Sequence, residues 1–127
     1  MSGLCIAAGV AMKALAVSAF TLSWTHSVER VTWQEDWRVT PAGLVLVQAR
    51  VKGSGAGMEP GAGARLRGGW WQWRPDDPPR PVVILAQSGA AGHWHLCAGG
   101  KCRTLSDWAD GHDADTYRLA PCARRKP

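Results

Sequence analysis

Aromatic rings other than indole are almost missing: one tyrosine and one phenylalanine stand among 127 residues. Against them are eight tryptophans, Trp24, Trp33, Trp37, Trp70, Trp71, Trp73, Trp94 and Trp108, which are expected to supply most of the bulk of a core. No apolar run is long and uniform enough for a membrane helix. Lys13 interrupts the first such stretch, and from Phe20 the apolar residues alternate with Thr21, Ser23 and Thr25. No Lys or Arg precedes that stretch, so an export signal is not evident, although Val17-Ser18-Ala19 has the small residues of a cleavage site. The region is read as part of the domain, with any signal upstream.

Catalytic signatures are missing too. The glycine-rich stretch from Gly53 to Gly63 is followed by no Gly-Lys-Ser/Thr, which excludes a phosphate loop, and Met58 occupies the place of the third glycine of a dinucleotide fingerprint. Ser27 adjoins His26, but neighbouring strand residues point to opposite faces, so the two do not form a nucleophile and its base. No cofactor is expected. The net charge of +5 comes from basic residues that look scattered, apart from Arg124, Arg125 and Lys126 at the end, and no nucleic-acid partner is expected from it.

What remains is strand period. Phe20, Leu22, Trp24, His26 and Val28 share one face; Val31, Trp33, Glu35, Trp37 and Val39 share another. A turn at Glu29-Arg30 sets Trp24 opposite Glu35 and Leu22 opposite Trp37, and a looser connection keeps the same face parity. Leu44 to Lys52 is a third strand, with Val45, Val47, Ala49 and Val51 facing one way. Leu4 to Ala8, Trp70 to Trp73, Val82 to Ser88, His93 to Cys97 and Cys102 to Leu105 are short and strand-like. The expected fold is all-β, a small antiparallel barrel or sandwich over residues 4–106, with an irregular polar C-terminal tail over 107–127.

Four cysteines permit two disulfides. Cys97 and Cys102 flank Ala98-Gly99-Gly100-Lys101, a loop able to return the chain and join them, whereas Cys5 and Cys122 pair only if the two ends meet. His93, His95, Cys97 and Cys102 also make a zinc alternative, without the second paired half of a zinc finger. Asp107, Asp110, Asp113 and Asp115 lack the calcium-loop pattern and read as a solvated acidic run.

The sharpest local conflict is polar residues on apolar faces. His26 and Glu35 either satisfy one another as a diagonal pair that fixes register or line a polar pocket, and Gly53, Gly55 and Gly57 leave either a hole or a bulge beside them. Trp70, Trp71 and Trp73 beside Arg74 are core, or else a stacking platform for sugars or bases.

The block Trp24-Thr25-His26-Ser27-Val28-Glu29, then Glu35-Asp36-Trp37, then Gly55-Ala56-Gly57-Met58, preceded by Leu4-Cys5, resembles the bacterial family called domain of unknown function 1850. The resemblance implies an exported β domain, periplasmic or membrane-associated, that accompanies tripartite, binding-protein-dependent transporters of the TAXI (TRAP) type. It marks His26, Ser27, Glu29, Glu35, Gly55 and Gly57 as ligand-binding candidates. The expected function is therefore a non-enzymatic accessory or binding module at the cell envelope, with a transporter component or its small-molecule substrate as partner. The alternative is a small metal-dependent hydrolase using His26 and Glu35.

Overall fold

The computed structural model describes residues 2–25, 31–52, 63–86 and 94–123. In chain order the elements are β1 (Ser2–Ala8), β2 (Ala11–Leu15), β3 (Ala19–Thr25), β4 (Thr32–Thr40), β5 (Gly43–Lys52), β6 (Arg65–Arg67), β7 (Trp70–Trp73), β8 (Val83–Ala86), β9 (His95–Ala98), β10 (Lys101–Thr104), α1 (Leu105–Trp108) and β11 (Thr116–Ala123). They form two antiparallel sheets, one ordered β2-β1-β11-β8 and one ordered β10-β9-β3-β4-β5-β7-β6. Neither sheet closes on itself among the described residues, so of the two expected architectures the fold is the sandwich.

Alternation decides which side chains meet between the sheets. Leu4 and Ile6 of β1 and Tyr117 and Leu119 of β11 are fully buried, and they face Phe20 and Leu22 of β3, Trp37 and Val39 of β4 and Leu96 of β9. Each fully buried side chain of this size contributes roughly 1.5–3 kcal/mol. The core is mainly aliphatic. Trp37 is the one buried tryptophan, at 4% exposure, and the other seven are half-buried, contrary to the expectation that indoles fill the interior.

Residues 107–123 are not the irregular polar tail expected but belong to the domain, which therefore runs beyond residue 106. Thr104 caps α1 by accepting from the Asp107 amide, Asp110 pairs with Lys13, and β11 then runs between β1 and β8. The Tyr117 hydroxyl donates to the His112 carbonyl at 3.2 Å and accepts from the Ala114 amide at 3.3 Å, tying the irregular stretch before β11 to its first buried residue. Burial, and the nearby Asp113 carboxylate, push that hydroxyl's pKa up, so it acts as a neutral donor.

The β3–β4 hairpin keeps the expected face parity, but its register differs by two residues: Trp24 lies opposite Trp33, Leu22 opposite Glu35 and Phe20 opposite Trp37. On β5 a bulge changes the pattern. Asp36 pairs with Gln48 and Trp37 with Leu46, leaving Val47 as the extra residue. Leu44, Ala49 and Val51 consequently point inward while Val47 is 36% exposed, so the four expected residues do not share a face. Gly43 opens β5 at φ 138°, where a Cβ would meet the Arg80 carbonyl oxygen at 2.6 Å. That close approach lets Leu44 and Arg80 exchange backbone hydrogen bonds of 2.7 and 2.9 Å, which fixes the proline-rich segment against the sheet.

Both cysteine pairs are disulfides. Cys97 and Cys102 face each other across the β9–β10 hairpin, whose Gly99-Gly100 turn has φ of 58° and 80°, the left-handed values a tight two-residue hairpin turn requires. Cys5 and Cys122 join β1 to β11 on the side of the small sheet away from the core.

Candidate functional site: a tryptophan-lined cleft

The seven-stranded sheet is wider than the four-stranded sheet packed on it. Its core-facing surface therefore continues past Phe20, Leu22 and Trp37, and there it carries indoles. Trp94 leans on Trp24 with ring centroids 4.3 Å apart; Trp24 stacks on Trp33 at 5.8 Å; Trp33 meets Trp73 edge-on at 6.1 Å. Cross-strand pairing sets this line, because Trp24 and Trp33 are register partners and Trp33 and Trp73 lie on flanking strands of β5. The Trp94 Nε1 donates to the Ala86 carbonyl at 3.0 Å, which orients the first ring.

At the far end of the line is an open cleft of about 470 Å³ bounded by Trp33, Glu35, Trp73, Arg74, Asp76 and Asp77. Glu35 occupies a register position between Leu22 of β3 and Ala49 of β5, where the surroundings call for an apolar side chain. The Trp37 Nε1 donates to its Oε1 at 3.1 Å. Arg80 stacks over Trp37 with its guanidinium 6.0 Å from the ring centroid and pairs with Asp77 at 3.7 Å. Together with the Leu44 bridge, these contacts hold the segment carrying Asp76 and Asp77 at the rim.

Burial pushes the Glu35 carboxyl above its ordinary pKa of 4.5, and the Trp37 hydrogen bond and the Arg80 charge only partly offset that. The folded state thus holds the proton more tightly than the unfolded chain does. The resulting destabilisation is fully present above the raised folded value and vanishes below the ordinary one, so stability falls as pH rises through that window. Glu35→Gln keeps an acceptor for Trp37 and removes the buried charge. We expect it to raise the melting temperature near neutral pH and to match the wild type in acid; thermal melts over a pH series check this, and a lower melting temperature at neutral pH contradicts it.

On the opposite face Asp36 is held differently. Partial burial works against its ionisation, but hydrogen bonds from Arg50 and Thr21 and the Arg50 charge outweigh it, so its pKa lies below the ordinary value. Arg50 forks onto both carboxylate oxygens at 2.7 and 3.3 Å and donates Nε to Gln34 at 2.7 Å. Adjacent carboxylates on one strand therefore have opposite environments.

Of the six ligand-binding candidates, Glu35 is within the described residues; His26, Ser27, Glu29, Gly55 and Gly57 lie outside them, as does His93. In the observed register the diagonal neighbours of Glu35 on β3 are Phe20 and Trp24. Cys97 and Cys102, as a disulfide, are not thiolate ligands, and among the described residues no group of three or more His, Cys, Asp or Glu side chains is placed to hold a metal ion. Asp76 and Asp77 were not singled out by the sequence; their adjacency within a run of prolines was the available signal.

The family model described as Domain of unknown function (DUF1850) matches residues 20–105. The chain belongs to this family. The DUF1850 span contains the whole indole line, Glu35 and the rim of the cleft, and it leaves out β1, β2 and β11, three of the four strands of the smaller sheet. No curated protein and no solved structure matches the chain.

Proposed function

We propose that this DUF1850 protein is a non-catalytic binding module of the bacterial cell envelope that takes a small molecule with a positively charged head group in the Glu35 cleft. The observation that carries this reading is a half-buried carboxylate between two indole walls, with two further carboxylates at the rim. Indole faces and carboxylates both attract an organic cation, and burial strengthens each interaction. Two disulfides and no free cysteine suit an oxidising compartment such as the periplasm.

The family resemblance extends the proposal to a partner. The module serves a TAXI-type tripartite transporter, handling that system's substrate or docking on one of its components. Growth on the transporter's substrate tests it: a strain carrying Glu35→Gln with Trp73→Ala is expected to grow as poorly as one lacking the gene while making folded protein. Wild-type growth of that strain contradicts the reading.

A further inference from the structure

The same strands carry a second, oppositely charged feature on the sheet's outer side. A groove of about 590 Å³ is bounded by Gln48, Arg65, Arg67, Gln72, Trp73 and Arg74. Register brings these residues together: Arg50, Gln72 and Arg65 lie side by side across β5, β7 and β6, and Lys52, Trp70 and Arg67 form the next row. In these rows Arg50 is already taken by Asp36, and Lys52 lies over the Trp70 ring at 5.7 Å. Arg65, Arg67 and Arg74 have no carboxylate partner among the described residues, and no described carboxylate lines the groove. Among the described residues the groove thus presents three guanidiniums and two carboxamides, donors in excess of any negative charge.

We propose that this groove is a second binding site, one that takes an anion carrying more than one carboxylate or phosphate group. Guanidinium forks match carboxylate and phosphate oxygens in pairs, and carboxamides add neutral donors for the remaining lone pairs. Arg65 and Arg67 rise from one strand face about 6.6 Å apart, which suits an anion with separated charged groups better than a monovalent ion. The volume is that of a small-molecule site. The groove meets the Glu35 cleft at Trp73 and Arg74, which border both, but Arg65 and Arg67 belong to the groove alone and attract the opposite charge. A free polyanionic metabolite and a lipid headgroup with two phosphates present the same chemistry, and the test separates them.

The whole chain is titrated calorimetrically with pyrophosphate and with citrate at constant ionic strength, and sedimented with vesicles of phosphatidylcholine with or without cardiolipin, whose headgroup carries two phosphates. Saturable binding is expected in at least one arm, weakened roughly tenfold or more by Arg65→Gln with Arg67→Gln. The charge-matched control Lys101→Gln with Arg118→Gln, at exposed positions on other strands, is expected to stay within about twofold of wild type. Binding of the small anions identifies a free ligand, and binding of the anionic vesicles alone identifies a headgroup; circular dichroism verifies that both variants fold. No binding in either arm, or equal weakening by the two double variants, overturns the proposal.

Discussion

A chain ending at Asp115 is expected not to fold. It lacks β11, and with it two fully buried side chains, Tyr117 and Leu119, the backbone ladder to both β1 and β8, and the Cys5–Cys122 disulfide. Burial of the two side chains alone contributes roughly 3–6 kcal/mol, comparable to the roughly 5–15 kcal/mol total stability of a domain. Without β11 the small sheet also splits, since β1 and β8 contact each other only through it. Circular dichroism and proton NMR dispersion check the outcome; a cooperative thermal transition in the truncated chain contradicts a topology in which β11 joins the two halves of that sheet.

The second large effect belongs to the long-range disulfide. Cys5 and Cys122 are 117 residues apart, so their bond constrains nearly the whole unfolded chain. In the chain-entropy treatment a loop of that size stabilises by about 4–5 kcal/mol, against about 2 kcal/mol for the five-residue separation of Cys97 and Cys102. Cys5→Ser with Cys122→Ser is therefore expected to lower the urea midpoint far more than Cys97→Ser with Cys102→Ser. Equal losses, or the reverse order, contradict this.

How much of this the sequence showed depends on the signal. Phe20 to Thr25 and Thr32 to Val39 alternate cleanly, so both strands and their pairing were legible, but period-two alternation fixes parity only. A shift of two residues leaves every side chain on the same face, which is why the hairpin register was not determined. Leu44 to Val47 are apolar at four successive positions, so the bulge that inverts their facing left no mark in the pattern. Between Thr116 and Cys122 only Tyr117 and Leu119 reach the core, and the acidic run before them and Pro121 after them hide a strand whose partner lies over a hundred residues away. The short Cys97–Cys102 bridge was legible from its turn, whereas Cys5–Cys122 depended on that same missed strand.

The candidate site was legible at one residue. Glu35 stood out because a carboxylate interrupted an apolar face, and it does line the cleft. The tryptophans were read as core because indole is large and apolar, yet the wider sheet leaves most of them beyond the reach of the smaller one. The basic residues looked scattered for a related reason. Arg50, Lys52, Arg65 and Arg67 come together only through β5–β7–β6 pairing, although the alternation Arg65-Leu66-Arg67 was a sign that β6 has a cationic face.

The claim that Glu35 and its indole walls form a binding site for an organic cation is tested most directly by titrating the protein with choline and with its uncharged isostere 3,3-dimethylbutanol while following tryptophan emission. A cation stabilises the Glu35 carboxylate against its burial, and Asp76, Asp77, Arg74 and Arg80 are the other charged groups that face it. Choline affinity is therefore expected to rise with pH through the raised Glu35 pKa, to exceed that of the isostere, and to fall roughly tenfold or more in Glu35→Gln. Equal affinity for the charged and uncharged compounds, unaltered by Glu35→Gln, would contradict the account.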